Sequence, residues 1–276
     1  MTLQEALLQG TRLLEEGGTA APRLTAEVLL AHALRRDRTF LYSHASDPLT
    51  EIGWIHFGRY LHERLKGKPT QYITKRQEFF GRDFRVTPAV LIPRPETEHV
   101  VEAALRRIGP GAAVVDIGTG SGAIAVTLAL EAAAHVFATD ISEEALNVAR
   151  VNARFLGAAV HFLCCDLITA IRKRSLDAVV SNPPYVPLGD QHSLQREVRD
   201  YEPHVALFAG TTGLELYERI IADATRVLRP GGSLVLELSY TAAEPVSAML
   251  DAHWKEVELI PDLAGIPRVL AATLVP

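Results

Sequence analysis

Residues 114–122 read Val-Val-Asp-Ile-Gly-Thr-Gly-Ser-Gly, and this stretch decides the fold of the chain. Its apolar run ends in glycines at alternate positions, Gly118, Gly120 and Gly122, and a helical pattern over residues 123–133 begins directly afterwards. Glycine allows the tight turn and the close backbone approach that a ligand requires at such a place. The free N–H groups at the start of the helix then attract a polar or anionic group. We therefore predict a strand, a ligand-binding turn and a helix.

The alternation of apolar and helical segments continues through residues 96–276. Strand patterns occupy residues 112–117, 136–139, 160–165, 178–181, 233–238, 254–260 and 268–274. Helical patterns occupy residues 96–107, 123–133, 143–155, 214–228 and about 244–250. Nearly continuous apolar strands between helices indicate a parallel sheet that is covered on both faces. The last two strands have no helix between them and should pair antiparallel, so we predict an α/β fold with a seven-stranded, Rossmann-like sheet.

The first part of the chain has a different, helical character. Thr2 and Glu5 match a capping box at the start of a helix, and further helices are predicted over residues 25–34 and from Thr50 to Gly67. Three short helices can bury a small core of their own. We therefore predict a small helical domain over residues 1–75.

Residues 76–95 are predicted to link the helical domain to the α/β domain, which then spans residues 96–276. Within this link, residues 77–86 have the pattern of a β-hairpin around Gly81. Residues 91–95 should be extended, because each proline disfavours the helical conformation in the residue before it.

Two carboxylates follow predicted strands at the ends where a parallel sheet binds its ligands. Asp140 can accept hydrogen bonds from ribose hydroxyls; alternatively it caps a helix, although Ser142 is better placed for that role. Asp166 can accept a hydrogen bond from an adenine amino group, or it is only a turn residue. Leu167 beside it can pack on the purine. Together with the glycine turn, these strand ends predict a nucleotide-like ligand.

The segment Ser181-Asn182-Pro183-Pro184-Tyr185 follows the fourth predicted strand and indicates the chemistry. The two prolines fix the backbone and remove two N–H donors, which leaves acceptors: the side-chain oxygen of Asn182 and backbone carbonyls. An NH2 group donates two hydrogen bonds, so two fixed acceptors suit it, and a planar amide or base can stack on the Tyr185 ring. The segment predicts a site for a planar amide or amine nitrogen.

The composition bounds the class of protein. The chain has 276 residues, of which 48% are hydrophobic and 22% charged, so it can bury a large core without disulfides. A net charge of −5 disfavours a protein that binds duplex DNA through many phosphates. The two cysteines, Cys164 and Cys165, are neighbours, and we expect them in a buried strand. No signal peptide, no membrane span and a cytoplasmic location are expected.

In the glycine turn, at Asp140 and Asp166 and in residues 181–185, the chain resembles class I S-adenosylmethionine-dependent methyltransferases of the N-methylating kind. Residues 226–234 resemble them as well. Motifs like residues 182–185 occur in enzymes that methylate adenine nitrogens of DNA and in enzymes that methylate glutamine side chains of proteins. Further segments resemble the PrmC/HemK family, which methylates the glutamine of the Gly-Gly-Gln motif in peptide-chain release factors. These segments are residues 77–84, 91–98, 201–207 and 262–265.

The resemblance covers nearly the whole chain and implies N5-methylation of a release-factor glutamine with S-adenosyl-L-methionine as cofactor. The implied cofactor-binding residues are Gly118, Thr119, Gly120, Ser121, Gly122, Asp140, Asp166, Leu167 and Asn182. The implied catalytic residues are Asn182, Pro183, Pro184 and Tyr185. No metal is expected, because the sulfonium methyl donor is already activated. The helical domain would recognise the protein partner or serve only as a lid.

Several other interpretations stay open on the sequence alone. The nearest is a glutamine methyltransferase that acts on a ribosomal protein. A DNA adenine-N6 methyltransferase would need a basic groove and a base-flipping pocket. A cofactor-binding scaffold without turnover would not need residues 182–185, and a dehydrogenase would carry its third glycine one residue later. We expect a monomeric protein methyltransferase that makes no direct contact with nucleic acid.

Overall fold

The computed structural model of the chain describes residues 1–275. They form two compact units, of which the first comprises residues 1–76 and 195–201 and the second the remaining described residues. The helices, in chain order, are α1 (Leu3–Glu16), α2 (Pro22–Leu34), α3 (Arg38–Ser43), α4 (Glu51–Leu65), α5 (Thr70–Thr74), α6 (Glu98–Leu105), α7 (Ala123–Glu131), α8 (Glu143–Leu156), α9 (Arg196–Tyr201), α10 (Glu215–Val227) and α11 (Ala243–Ala248). The strands are β1 (Arg76–Phe79), β2 (Arg82–Arg85), β3 (Ala113–Ile117), β4 (His135–Asp140), β5 (Val160–Cys164), β6 (Leu176–Ser181), β7 (Leu228–Glu237), β8 (Trp254–Pro261) and β9 (Pro267–Leu274).

The first unit is a helical bundle in which α1, α2 and α4 pack on one another. The buried centre of the bundle contains Leu14, Leu29, Leu30 and Phe57. The predicted capping box of α1 is confirmed, because Glu5 N–H donates to the Thr2 hydroxyl at 3.2 Å and Thr2 N–H donates to the Glu5 carboxylate at 2.8 Å. Satisfying free N–H groups in this way fixes the start of the helix.

Helix α9 belongs to the helical unit although the chain before and after it belongs to the α/β unit. Arg64 of α4 forms an ion pair with Glu197 of α9 at 2.5 Å, and the Arg64 side chain is only 10% exposed. The Tyr201 hydroxyl donates to the Lys66 carbonyl at 3.1 Å. A segment distant in sequence therefore completes the bundle.

The second unit contains the predicted seven-stranded sheet, in the order β5-β4-β3-β6-β7-β9-β8. Strands β3 to β7 are parallel, and β9 runs antiparallel to both β7 and β8, as predicted for the last two strands. From β3 the chain moves outward through β4 to β5 and then returns to the other side of β3 with β6. The strand order thus reverses between β3 and β6, and open α/β sheets bind ligands at such a point.

Alternate residues of the strands supply the two cores of this unit. Val114 and Val180 point to a core that α6, α7 and α8 complete, whereas Val115 and Val179 point to a core that α10 and α11 complete. The two faces of the sheet are therefore both covered, which explains why its central strands are apolar at nearly every position.

The predicted hairpin around Gly81 is confirmed as the two-stranded sheet of β1 and β2. Asn152 of α8 binds it tightly: its side chain accepts from Arg85 N–H at 2.8 Å and donates to the Arg85 carbonyl at 3.0 Å. The same amide donates to the Ser121 carbonyl at 2.8 Å. One buried side chain thus joins the hairpin, α8 and the glycine turn.

Some expectations from the sequence were wrong or incomplete. Cys164 is exposed and Cys165 is half-buried, because β5 is an edge strand rather than a buried one. Helix α3, helix α9 and the short 3₁₀ turns near residues 188–193 and 204–206 were not predicted, since they are too short for an amphipathic period. None of the helices in residues 1–275 is long and apolar enough to cross a lipid bilayer.

Replacing Asn152 with leucine should destabilise the α/β unit by about 3 kcal/mol, because it leaves the Arg85 and Ser121 backbone groups without their partner. Denaturant unfolding measures the change in the free energy of unfolding. Asn147→Leu, the same substitution at an exposed site of α8, is the control and should change it by less than about 0.5 kcal/mol. Equal losses in the two variants would contradict the joining role of Asn152.

Candidate active site

A cavity of about 390 Å³ opens at the carboxyl ends of the central strands. It falls within the range of about 300–1,000 Å³ that small-molecule sites occupy. Among the predicted site residues, those that line the cavity are Gly118, Gly120, Asp140, Asp166, Leu167, Asn182, Pro183 and Pro184. Thr119, Ser121, Gly122 and Tyr185 are not part of its lining.

The glycine turn forms one wall, and its backbone geometry explains its composition. Gly118, Gly120 and Gly122 have φ values of +68°, +54° and +83°, a region that side-chain-bearing residues rarely adopt. A methyl group on Gly118 would meet no protein atom within 4 Å, so it would enter the space of the cavity. A methyl group on Gly122 would instead lie 3.1 Å from the Ala149 side chain of α8.

The remaining residues of the turn point inward and hold it in shape. The Thr119 hydroxyl donates to the Asp116 carboxylate at 2.7 Å, and Ala125 N–H donates to the same oxygen at 3.2 Å. Burial raises the pKa of Asp116 to about 7, and these two hydrogen bonds oppose the rise. Ser121 contributes its carbonyl to Asn152. Thr119 and Ser121 therefore support the turn, and their predicted contact with the cofactor stays a prediction.

Asp140 lies at the end of β4 and faces the cavity. Its two carboxylate oxygens accept hydrogen bonds from Gly120 N–H and Ser142 N–H, both at 2.9 Å. Ser142 caps α8 by accepting from Ala145 N–H at 3.2 Å, so the helix does not use Asp140 as its cap. A carboxylate has about four acceptor positions, which leaves room for ribose hydroxyls. Burial raises the pKa of Asp140.

Asp166 and Leu167 follow β5 on the far side of the cavity. The Asp166 carboxylate is about half exposed and forms an ion pair with Arg219 of α10 at 2.6 Å. Arg219 also lines the cavity, and the sequence had given no indication of this partner. Leu167 has a positive φ of 48° and packs against the core of α10, which brings an apolar surface to the cavity.

Asn182 follows β6, at the opposite side of the strand reversal from Asp140. Its side-chain NH2 donates to the Thr97 hydroxyl at 3.0 Å, and Thr97 is only 4% exposed. Because the NH2 end of the amide is occupied by Thr97, its oxygen is the end available to the cavity. Pro183 and Pro184 continue the same wall and contribute no N–H donors.

Tyr185 packs its ring against the core formed by β7 and α10. Burial raises the pKa of Tyr185 to about 12, and the nearby Glu237 carboxyl adds to the rise. The phenol is therefore neutral at physiological pH. Its predicted stacking on a substrate amide stays a prediction.

The wall opposite the strand ends comes from residues 203–210. Backbone hydrogen bonds from Val186 N–H to Leu207 at 2.9 Å and from Ala209 N–H to Val186 at 3.0 Å hold this segment beside the two prolines. Glu202 anchors its start: the buried carboxylate accepts from Arg94 at 2.6 Å and from Ile92 N–H at 3.2 Å. Two segments that resemble the PrmC/HemK family thus meet at this point.

Sequence reasoning missed Thr97, Glu237 and Arg219. Glu237 ends β7 after a run of buried residues, as Asp140 ends β4 and Asn182 follows β6. The strand-end rule applied to the other positions could have found Glu237. Thr97 lies in a 3₁₀ turn before α6 and Arg219 lies on α10, and neither carries a comparable sequence signal.

The sheet resembles those of solved methyltransferase structures. A methyltransferase from Pyrococcus furiosus superposes with a TM-score of 0.53 and 20% identity, over 71% of this chain and 89% of that one. A 16S rRNA methyltransferase from T. thermophilus, in complex with AdoMet and guanosine, also gives a TM-score of 0.53 and 20% identity, over 72% of this chain and 49% of that one. These likenesses show a shared fold.

The family models divide the chain in two. The PrmC N-terminal domain matches residues 5–74, and the Methyltransferase small domain matches residues 99–198. The cavity is of suitable size, its glycine wall leaves ligand space beside Gly118, and Asp140 keeps free acceptor positions, so the site fits S-adenosylmethionine. Fold and site together define a class I S-adenosylmethionine-dependent methyltransferase.

Full-length relatives identify the family. A release factor glutamine methyltransferase from Koribacter versatilis is 44% identical over 275 residues, which cover 98% of each chain. One from Moorella thermoacetica is 43% identical over 279 residues, 99% of this chain and 98% of the relative. The chain belongs to the release factor glutamine methyltransferase family.

Gly118→Ala should weaken the binding of S-adenosylhomocysteine by roughly tenfold or more, because the added methyl group enters the cavity. Isothermal titration calorimetry measures the affinity. Gly111→Ala is the matched control: its φ is +76° and its added methyl group would also meet open space, but it lies away from the cavity. Both variants carry similar backbone strain, so a similar loss of affinity in the two would refute the cavity argument.

Proposed function

We propose that this protein transfers a methyl group from S-adenosylmethionine to the N5 nitrogen of the glutamine in the Gly-Gly-Gln motif of peptide-chain release factors. Membership of the release factor glutamine methyltransferase family supports the substrate. The observation that carries the chemistry is the hydrogen bond from the Asn182 NH2 group to Thr97, because it leaves the amide oxygen free to accept from a substrate NH2.

The main difficulty of this reaction lies in the acceptor. S-adenosylmethionine supplies an activated methyl group on a sulfonium, whereas an amide nitrogen is a poor nucleophile because its lone pair is delocalised into the carbonyl. Asn182 and the Pro183 carbonyl accept the two N–H bonds of the substrate NH2 group. These hydrogen bonds favour a pyramidal nitrogen and stabilise the positive charge that develops on it. The nitrogen gains the methyl group as the bond from that group to the sulfonium sulfur breaks, and the cationic product, which is acidic, then releases one N–H proton to water.

Residues 183–185 position the acceptor. The two prolines fix the direction of the Pro183 carbonyl, since their rings restrict the backbone. Tyr185 stacks on the substrate amide, and as a neutral ring it interacts favourably with the developing cation. Holding nitrogen and methyl in line at about 3–3.5 Å supplies much of the remaining rate enhancement.

The cofactor is held by residues on three strand ends. Gly118 and Gly120 allow its close approach, and Asp140 accepts hydrogen bonds from the ribose hydroxyls. Leu167 packs on the adenine, and Asp166, paired with Arg219, accepts from the adenine amino group. Thr119, Ser121 and Gly122, the other predicted cofactor contacts, hold the turn in shape.

The helical unit is the proposed recognition domain for the release factor. Its match to the PrmC N-terminal domain supports this role, because that model describes the part of the chain outside the methyltransferase domain. We further propose that the enzyme acts as a monomer in the cytoplasm without direct contact with nucleic acid. The net charge of −5 supports the absence of a nucleic-acid partner.

Asn182→Ala should lower turnover by about two orders of magnitude or more and leave the affinity for S-adenosylhomocysteine within about threefold of the wild type, because Asn182 acts mainly on the acceptor. Single-turnover methyl transfer and calorimetry measure the two quantities. Asn147→Ala, at an exposed position of α8, is the control and should change neither. Parallel losses of turnover and cofactor affinity would contradict this division of roles.

The substrate is tested by transfer of labelled methyl from S-adenosylmethionine to a purified bacterial release factor. We expect label on the wild-type factor and none on a factor whose Gly-Gly-Gln glutamine is changed to alanine. Mass spectrometry of the labelled peptide locates the methyl group.

Ribosomal proteins and adenine-containing DNA are offered in parallel reactions. Label on a ribosomal protein instead of the factor would identify the nearest rival activity. Label on DNA would indicate an adenine methyltransferase, and either result would overturn the proposed substrate.

A further inference from the structure

Glu237 is a buried carboxyl group beside the acceptor site, and the proposed mechanism gives it no role. It ends β7, and the pairing of Ser181 with Leu236 on the neighbouring strands places it next to Asn182. Glu237 is 3% exposed, and its Oε2 atom has no hydrogen-bond partner within residues 1–275. A buried, unpartnered carboxyl oxygen costs folding free energy. Because Glu237 lies beside Asn182, we expect a contribution to the acceptor site that offsets this cost.

Thr97 connects Glu237 to Asn182. The Thr97 oxygen accepts a hydrogen bond from the Asn182 NH2 group at 3.0 Å, and hydrogen bonding by the Thr97 side chain lowers the pKa of the Glu237 carboxyl. A hydroxyl group has a single hydrogen to donate. Once that hydrogen is given to Glu237, Thr97 can offer Asn182 only a lone pair, which attracts the NH2 end of the amide.

We infer that Glu237 acts through Thr97 as a positioning residue, which fixes the end of the Asn182 amide that faces the acceptor nitrogen. The inference rests on the proposed function, since only an acceptor with an NH2 group requires the amide oxygen to face the cavity. If the amide turned around, its NH2 group would face the NH2 group of the substrate. The nitrogen would then lose one of its two acceptors and meet a donor instead.

Protonation of Glu237 reverses the direction of these hydrogen bonds. A neutral carboxyl group donates its own hydrogen to Thr97, so the Thr97 hydroxyl can donate to Asn182 and attract the amide oxygen. Burial raises the pKa of Glu237 to about 7, and the hydrogen bond from Thr97 opposes the rise. The productive arrangement is therefore the one present at higher pH.

Charged groups around Glu237 act on its pKa in opposite directions. Glu96 raises its pKa further, whereas the positive charges of Arg268 and Arg94 lower it. Burial raises the pKa of the hydroxyls of Tyr185 and Tyr217, and the Glu237 carboxyl adds to the rise. Tyr217 donates to the Glu237 carbonyl at 2.9 Å and so fixes the backbone of the residue. The charged and titratable groups that face Glu237 are thus Glu96, Arg94, Arg268, Tyr185 and Tyr217.

Paired substitutions separate the positioning role from a structural one. Glu237→Met and Thr97→Val keep the size of the side chain but break the connection, and each should lower kcat roughly 30- to 100-fold. Glu237→Gln and Thr97→Ser keep an acceptor and a hydroxyl at these positions, so both should retain most of the wild-type kcat. Affinity for S-adenosylhomocysteine should stay within about threefold of the wild type in all four variants.

Stability provides a readout that a merely structural role would not produce. Glu237→Met removes a buried, unpartnered carboxyl oxygen and should therefore raise the thermal midpoint of unfolding while kcat falls. A structural role predicts that both quantities fall together. A fall in both, or an unchanged kcat in Glu237→Met, would overturn the inference.

The pH dependence provides a second, independent readout. Wild-type kcat should rise with pH to a plateau, with a midpoint near 7, and Glu237→Gln should remove this step. A step that persists in Glu237→Gln would overturn the inference.

The inference is also tested without any substrate. In ¹⁵N-labelled enzyme, the Asn182 side-chain NH2 resonance, assigned by its loss in Asn182→Asp, should shift with a midpoint near pH 7 in the wild type and not in Glu237→Gln. An absence of methyl transfer to the release factor would contradict the proposed function. The titration of the Asn182 resonance would still test the connection from Glu237 through Thr97 to Asn182. A resonance that does not shift in the wild type would defeat the inference alone.

Discussion

The site depends on one constraint: parallel strands all end at the same edge of a sheet. Because the strand order reverses between β3 and β6, the glycine turn after β3 and Asn182 after β6 border one opening instead of two separate surfaces. Asp140 on one side and Glu237 on the other extend the same row of strand ends. The proposed contacts to the cofactor and the acceptor therefore follow from the topology, because the residues concerned lie at the ends of the parallel strands β3 to β7.

Features that depend on residues close together in the chain, such as strands, helices and caps, could be predicted from the sequence. Apolar runs predicted the seven strands, and Thr2 with Glu5 predicted a helix cap. The places of Asp140 and Asn182 directly after apolar runs predicted that both lie at the ends of strands. Contacts such as that of Thr97 with Asn182 join residues far apart in the chain, and no periodicity encodes them. Thr119 and Ser121 also bond Asp116 and Asn152 within the protein, which a sequence does not show, because it does not reveal which residues of a turn point inward. Their predicted contact with the cofactor stays a prediction.

Two buried carboxyl groups of this unit, those of Asp116 and Glu237, reduce its stability at neutral pH. The pKa of Asp116 rises from 3.8 to about 7, and that of Glu237 rises from 4.5 to about 7. A group whose pKa is raised on folding adds stability below its unfolded pKa, and this contribution disappears as the pH rises through the folded value. From about pH 4 to pH 7 both residues therefore shift the balance towards the unfolded state. Burial of ionisable groups at the ends of the strands therefore lowers the free energy of unfolding of the unit that carries the site.

Helix α9 makes the helical unit discontinuous in the chain, with β1 to β6 inserted between its two parts. During translation, residues 1–76 leave the ribosome long before Glu197 and Tyr201, which supply an ion pair and a hydrogen bond to them. The bundle can gain its last helix only after most of the sheet has been synthesised. An exchange of this unit between related enzymes would consequently have to carry two separate pieces of sequence, and a fragment cut at the end of residue 76 would lack α9.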